Sequence, residues 1–341
     1  MAFTKKLEFY NFTLKFGDEK VLLDLFYEIV MPSFHEMKYV RKIREKGEYF
    51  FLDTKLVVVD RTPPIPVLGV AGRIVKNTTL KRDQIFRSGG GLIENKGELE
   101  TAPSSTFLLI LNNHRLVYCK EVAGAPTISN FQSTSQKFMK LRHAEFVNER
   151  YEEAKLERVL IPESERVSKR AILEEFPYPK LRVTPLSDKE SLKDFIARLK
   201  HIDSLAITLL PTNDEEIDND DFWTDLGRRR REMNSKNAKV NFSNSSEGLD
   251  GEKVYEQAKA ASNLANSEVR LKGHDILGDT LKGTNEDFSL TVELQELPRD
   301  TVLAADVKYK QFDSLVKKGI IVIPKLVDGV AKKIMAILDG L

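Results

Sequence analysis

The feature that most constrains the fold of this chain is a pair of apolar segments joined by a short polar loop. The segments are residues 107–111 and 116–119, and residues 112–115 between them are turn-prone and polar. Two apolar runs separated by such a loop are typical of an antiparallel hairpin. The sequence therefore predicts a β-hairpin over residues 106–122.

Further strands and a helix accompany this hairpin. Alternating apolar residues predict a strand over residues 6–16, with a phase slip near Asn11. Residues 48–60 and 67–76 are rich in β-branched and aromatic side chains, which favour strands. A charged helix follows at residues 132–159. We expect an N-terminal α+β domain over residues 1–160, with a mixed or antiparallel sheet and helices packed on one face.

The second half of the chain predicts a smaller unit after a connector at residues 161–179. Residues 181–186 and 205–210 have strand character, and Ser187 followed by Glu190 forms a capping box that opens a helix between them. This order predicts an α/β sandwich domain over residues 180–300, with a right-handed crossover if the strands are parallel. Residues 301–341 are expected to form a C-terminal helical segment.

Composition limits the class of protein. The chain has 341 residues with 41% hydrophobic and 31% charged side chains, which is the balance of folded proteins and suits two domains. Its net charge is +1, so a surface for nucleic acid requires uneven placement of charge. Apolar runs stay well short of the roughly 18 residues of a membrane span. The single cysteine, Cys119, cannot form an internal disulfide. We expect a cytoplasmic protein without membrane insertion.

Residues with catalytic potential do not form a recognisable motif. The five histidines lack the spacing of a helical metal pair, no serine lies in a nucleophile elbow, and residues 88–91 lack the lysine of a phosphate-binding loop. Two D-x-K triplets, at Asp53 and Asp306, have a spacing used by Mg²⁺-dependent nucleases. The first has no identifiable partner acid, and the second falls in a helix-favouring segment. We expect no catalytic residue, metal or cofactor, with a magnesium nuclease as the less favoured alternative.

A run of basic residues indicates a binding role. Four arginines are consecutive on a predicted helix, and two lysines follow: Arg228, Arg229, Arg230, Arg231, Lys236 and Lys239. Consecutive residues spread around a helix, so only some of the arginines can face one ligand. A solvated helix face, paired with the acids at residues 214–221, explains the run equally well.

A second basic pattern lies at residues 269–272. On a strand, residues two apart point the same way, so Arg270 and Lys272 are predicted to share one face while Val269 and Leu271 take the other. Two neighbouring cations on a sheet suit phosphate oxygens, and such contacts give affinity without sequence reading. An ordinary half-exposed strand has the same spacing and remains an alternative.

The segment that carries these two cations resembles a strand of the RexA phage-exclusion family. In residues 267–275, Arg270 and Lys272 are followed closely by Asp275, as in that family. Residues 102–110 and 125–131 are similar to the segments that enter and leave its hairpin. The resemblance is one of pattern and element order over most of the chain, and it is weakest in the first 60 residues and the C-terminal helix.

The resemblance implies a two-domain homodimer that binds duplex DNA with little sequence preference and acts in phage defence. It transfers basic contacts to Arg270 and Lys272 only. A similar logic applies to the KwaB-like proteins of the Kiwa defence system. We therefore expect a DNA-binding defence protein in which the cations of residues 228–231, Lys236 and Lys239 support these two. The alternative is a sensor subunit that binds a partner defence protein and does not bind DNA.

Overall fold

The computed structural model describes residues 3–44, 46–161, 166–210, 221–262, 267–323 and 326–340. The strands are β1 (Lys5–Phe16), β2 (Lys20–Val21), β3 (Arg41–Ile43), β4 (Gly47–Asp60), β5 (Val67–Arg87), β6 (Gly91–Thr101), β7 (Ser104–Ile110), β8 (Arg115–Lys120), β9 (Pro179–Pro185), β10 (His201–Leu209), β11 (Ala238–Ser243), β12 (Ser267–His274), β13 (Thr280–Thr284) and β14 (Thr291–Leu294). They pair into two antiparallel sheets.

The helices are α1 (Met31–Ser33), α2 (Ile128–Leu160), α3 (Lys169–Glu175), α4 (Lys189–Arg198), α5 (Asp221–Glu232), α6 (Gly251–Ser262), α7 (Thr301–Lys317) and α8 (Asp328–Asp339). A 3₁₀ turn at Leu22–Leu25 and a π-helical turn at Phe26–Val30 lead into α1. In the part of the chain that the structure describes, no helix is long and apolar enough to cross a membrane.

The first sheet has the strand order β14-β1-β8-β7-β5-β4-β3. The strands β2 and β9 also pair with β1, and β6 pairs with β5. The predicted hairpin is confirmed as β7 and β8, with Ser105 opposite Lys120 and Ile110 opposite Arg115. Cys119 lies fully buried in β8, as a small apolar side chain.

Apolar side chains project from both faces of the first sheet. In β1, Phe12 and Leu14 enter a core shared with α2 and α8, whereas Leu7 and Phe9 enter a second core shared with α7. The apolar residues of β1 do change from one face to the other near Asn11, but the register of β1 with β8 and β9 has no shift, so no bulge causes the change. Apolar residues occur on both faces because both faces are covered. The α+β class is confirmed, although helices cover this sheet on both faces.

The second sheet has the order β11-β10-β12-β13 and helices on one face. Leu192 of α4 and Val254 and Ala258 of α6 pack with Leu205 and Leu271 of the strands in a third core. The helix α4 begins one residue later than expected, because Asp188 rather than Ser187 accepts the backbone N–H groups of the first turn. Among the described residues, no helix packs on the opposite face, which we call the open face.

The strand β9 belongs to the first sheet, and this corrects the predicted strand–helix–strand unit. It pairs antiparallel with β1 from Tyr10 to Phe16. The side-chain oxygens of Gln132 and Gln136 in α2 accept the backbone N–H groups of Val183 and Leu181, which holds β9 beside that helix. The predicted boundaries at residues 180 and 300 therefore do not follow the sheets, because β9 and β14 both lie on β1.

The second sheet is connected to the first by a two-stranded neck. The chain leaves β1 where Pro185 pairs with Tyr10 and returns where Thr291 pairs with Glu8. Between these points Ser187 pairs with Ser289, and the Leu290 N–H donates to the Leu186 carbonyl at 2.7 Å. The stretch from 186 to 290 is thus an insertion between two strands that follow one another along β1.

A two-stranded ribbon extends from the first sheet. The strand β5 pairs with β4 and β7 only as far as Asn77, and from Thr78 to Arg87 it pairs with β6. The tip is a turn at residues 88–90, where Gly89 and the adjoining Gly91 have φ values of 85° and 69°, which glycine adopts without strain. The strand β6 was not predicted. We call residues 78–101 the ribbon.

Candidate nucleic-acid interface

Arg270 and Lys272 lie side by side on the open face, as the alternation of β12 predicts. Val269 and Leu271 are buried in the third core, whereas Arg270 and Lys272 are exposed. Their side chains are 70% and 50% exposed. Because the helices occupy only the other side of the sheet, solvent reaches both cations.

Neighbouring strands add two lysines to this face. Lys282 of β13 lies directly opposite Lys272, and Thr284 lies opposite Arg270. On the other edge, Lys239 of β11 pairs with Thr208 of β10. Directly opposite residues of an antiparallel pair have Cβ atoms about 5 Å apart, so the two ammonium groups of Lys272 and Lys282 repel each other. The open face therefore holds a local concentration of positive charge within a chain of net charge +1.

Two carboxylates lie beside these cations. The Glu268 carboxylate is 3.6 Å from the Arg270 guanidinium and 3.7 Å from that of Arg182. The Asp203 carboxylate is 3.2 Å from the Lys272 ammonium. Lys239 and Lys282 form no ion pair with any residue that the structure describes. Four cations therefore share the face with two carboxylates, and its charge remains positive.

Two histidines surround Asp203 at one end of the open face. His274 Nδ1 and His201 Nε2 lie 3.3 and 3.6 Å from its carboxylate. Asp203 occupies a bulge in β10, where the register with β12 shifts between Ile202 and Ser204. Within the described ranges, no group of three or more His, Cys, Asp and Glu residues could hold a metal ion. The Asp203 carboxylate thus places a negative charge at this end of the open face.

Two of the four consecutive arginines pair with acids of their own helix. Arg228 pairs with Asp225 and with Glu232 at 2.7 Å, and Arg229 pairs with Asp225 at 2.7 Å. Arg230 is buried and donates to the Lys236 carbonyl. These acids lie three or four positions along α5. The acids predicted as partners, at 214–221, lie outside the described residues except for Asp221, whose side chain is not described.

The structure does not bring this run to the open face. Leu226 of α5 packs against the third core, on the side of the sheet that carries the helices. Arg231 and Lys236 are exposed beyond it. Of the eight cations predicted to contact DNA, Arg270, Lys272 and Lys239 share one surface. Because Arg228 and Arg229 pair with nearby acids and Arg230 is buried, their predicted support for binding at the open face stays a prediction.

The two D-x-K triplets are held by structural contacts. Asp306 pairs with Lys310 at 2.6 Å on the surface of α7, whereas Lys308 points into the core because residues two apart on a helix face opposite ways. Asp53 pairs with Arg73 at 2.6 Å. Among the residues that the structure describes, neither aspartate belongs to a group of three or more side chains that could hold a metal ion.

A family model describes part of this chain. A domain of unknown function, DUF4747, matches residues 164–309. The match covers β9, the second sheet with its helices, β14 and the first half of α7. No curated protein matches the chain. The open face with its four cations thus lies within the segment that the family model describes.

Lys282 was missed in the sequence because β13 is short and contains Gly283 between Lys282 and Thr284. A Cβ atom at Gly283 would lie 2.5 Å from the ring of Phe195, so glycine is required for the strand to approach α4. The only available signal was the alternation of Lys282 with Leu281 and Gly283, which is too brief to predict a strand.

Proposed function

We propose that the open face binds the phosphate backbone of double-stranded DNA without reading its sequence. The observation that carries the proposal is the placement of Lys272 directly opposite Lys282, with Arg270 and Lys239 on the same surface. Adjacent like charges destabilise a free sheet. A polyanion offsets this repulsion, because each phosphate neutralised by a lysine or arginine releases condensed counterions.

The chemistry of the remaining side chains supports a backbone contact. Ser204 and Thr208 lie among the cations on the same face, and their short hydroxyl side chains can donate to phosphate oxygens, whereas the Thr284 hydroxyl donates to the Asp287 carboxylate at 2.9 Å. Contacts of this type fix position and supply affinity that does not depend on sequence.

The neighbouring carboxylates are compatible with this role. Arg270 and Lys272 are half exposed or more, and exposed ion pairs contribute only about 0–1 kcal/mol to stability. A phosphate can therefore replace Glu268 as the partner of Arg270 with little loss of folding free energy. Asp203 stays beneath Lys272 and reduces its charge, which limits the affinity for DNA.

The resemblance to RexA-like proteins adds a biological setting to the proposal. If the likeness extends to function, the chain acts in anti-phage defence, as a cytoplasmic homodimer that works by binding. The alternative remains a sensor or interaction subunit of a defence complex that does not bind DNA. A direct binding assay separates the two.

The test is fluorescence anisotropy with labelled duplex DNA, single-stranded DNA and RNA across a salt series. The parent protein should bind duplexes of unrelated sequence with similar affinity, and binding should weaken steeply with salt. The double variant Arg270→Ala/Lys272→Ala should bind all duplexes more weakly, with a log–log salt slope shallower by about two.

The matched control is Arg228→Ala/Arg229→Ala, which also removes two positive charges. Because these arginines are already paired on α5, this variant should bind nearly as the parent does. The proposal fails if the Arg270→Ala/Lys272→Ala protein binds duplex DNA as tightly as the parent. Co-purification of a stoichiometric protein partner, with no DNA binding at low salt, would favour the alternative.

A further inference from the structure

The ribbon exposes apolar side chains that its own chain does not cover. Leu80, Phe86, Leu92 and Leu99 are 56%, 73%, 71% and 64% exposed. A two-stranded ribbon without further packing is at best marginally stable in water. Exposed apolar side chains of this size, grouped on one ribbon, mark a contact surface.

All four side chains belong to one face of the ribbon. Leu80 is paired with Leu99 near the sheet, and Phe86 is paired with Leu92 near the tip. Between them lie the pairs Arg82–Gly97 and Gln84–Glu94 on the same face, because residues two apart on β5 point the same way and a bulge in β6 accommodates the extra residue between Gly97 and Glu94. From Leu80 to Phe86, a rise of six residues or about 20 Å, this face is apolar at both ends and polar in the middle.

This pattern is symmetric about the middle of the ribbon. Leu80 and Phe86 are each three residues from Asp83 in β5. A two-fold axis through that point would place the tip pair of one copy on the base pair of another. The same operation would place Arg82 of one copy beside Glu94 of the other. Such a surface is self-complementary, as an isologous interface requires.

The charges of the ribbon favour a protein occupant over a polyanion. Its cations and acids are equal in number: Lys81, Arg82, Arg87 and Lys96 against Asp83, Glu94, Glu98 and Glu100. Lys81 pairs with Glu98 at 3.4 Å, and Lys96 pairs with Glu94 at 2.7 Å. An electrically neutral apolar surface does not attract DNA or an anionic membrane.

We propose that this face of the ribbon packs against the same face of a second copy of this chain, with the two ribbons antiparallel. The inference does not depend on DNA binding by the open face. It assigns a homodimer contact to residues 80–99, on a different sheet from the proposed DNA surface.

Sedimentation velocity over a range of protein concentrations tests the contact. The parent should form a concentration-dependent dimer, and Phe86→Glu/Leu92→Glu should be monomeric at every concentration. The control is Ile276→Glu/Leu277→Glu, which changes two apolar residues that are 85% and 83% exposed in the turn between β12 and β13. It should dimerise like the parent. A monomeric parent, or a ribbon variant that still dimerises, overturns the proposal.

Cysteine cross-linking tests the antiparallel arrangement. Cys119 is buried, so a cysteine introduced on the ribbon is the accessible thiol of each variant. Leu92→Cys and Leu99→Cys proteins mixed under mild oxidation should form the mixed disulfide in preference to either self-disulfide, because the tip of one ribbon lies on the base of the other. Preferential self-disulfides would refute the two-fold packing, and so would the absence of cross-links.

Discussion

The ammonium of Lys272 lies 3.2 Å from the carboxylate of Asp203, although Asp203 is almost buried and Lys272 is half exposed. Burial by itself raises the pKa of this carboxyl group, but the hydrogen bond from Lys272 and the adjacent His274 more than offset it, so the pKa of Asp203 lies below its ordinary value. Asp203 is therefore negatively charged at neutral pH. It restrains the most central cation of the open face.

Replacement of Asp203 by asparagine should strengthen DNA binding. The amide keeps the size of the side chain but removes the negative charge beneath Lys272, so the contact between Lys272 and phosphate no longer competes with a carboxylate. We expect tighter binding of duplex DNA at low salt, measured by fluorescence anisotropy. An unchanged affinity would show that Lys272 does not contact the ligand.

Replacement of Lys282 by threonine should have opposite effects on folding and on binding. It removes the repulsion with Lys272, so urea unfolding should show a gain in stability of a few tenths of a kcal/mol, up to about 1. DNA affinity should fall, because one phosphate contact is lost. Lys239→Thr is the matched control: Thr208 lies opposite Lys239, so binding should weaken without a gain in stability. Equal stability changes in the two variants would contradict the assignment.

Arg73 should be critical for the stability of the first sheet. It is buried on β5, where its guanidinium pairs with Asp53 and Glu121 at 2.6 and 3.3 Å, and it also donates to Thr301 and to the Arg299 carbonyl at the start of α7. Arg73→Met leaves the poorly exposed Glu121 carboxylate without this partner, so we expect a loss of about 3–5 kcal/mol in urea unfolding. The exposed Arg82→Met should change stability by less than about 0.5 kcal/mol.

The stability of the protein should fall in acid partly through His114. Burial, followed by the nearby Arg115 and Lys333 charges, lowers the pKa of His114 to about 3. The unfolded chain takes up this proton near its ordinary pKa of about 6.5. The neutral side chain therefore contributes stability that is complete above about pH 6.5 and is lost as the pH falls towards 3, with a slope of up to about 1.4 kcal/mol per pH unit.

The variant His114→Asn tests this linkage. Asparagine tolerates the left-handed backbone of His114, whose φ is 53°, and it does not titrate. The difference in unfolding free energy between pH 7 and pH 4 should be smaller in the variant than in the parent, even if packing losses lower both values. Identical differences would rule out His114 as a main contributor. Burial also lowers the pKa of His143, which accounts for a remaining slope.

The sequence predicted features that depend on local periodicity. The shared face of Arg270 and Lys272 followed from their two-residue spacing, and the hairpin of β7 and β8 from two apolar runs. Helical spacing also predicts that Arg228 pairs with Asp225 and Glu232, whereas the sequence analysis pairs the arginine run with the acids at residues 214–221. Local patterns therefore predicted the direction of side chains well.

Features that depend on distant partners could not be predicted in this way. The sequence of β9 does not indicate whether it pairs with β10 or with β1, because its contacts with β1 and with Gln132 and Gln136 of α2 join residues that are far apart in the chain. The opposition of Lys272 and Lys282 requires the register of β12 with β13. The ribbon was missed because apolar residues such as Leu92 and Leu99 are separated by charged ones and by the bulge opposite Arg82 and Gln84.

The two-stranded neck has a consequence for how a load on the open face would travel. The residues that enter and leave the inserted stretch, Pro185 and Thr291, are paired with positions only two apart on β1. Tension on bound DNA would reach the remainder of the chain mainly through this narrow attachment, beside which stands the ion pair of Glu268 with Arg182. Both connections would then shear against one strand, and β1 would bear the mechanical force whichever end of the second sheet is pulled.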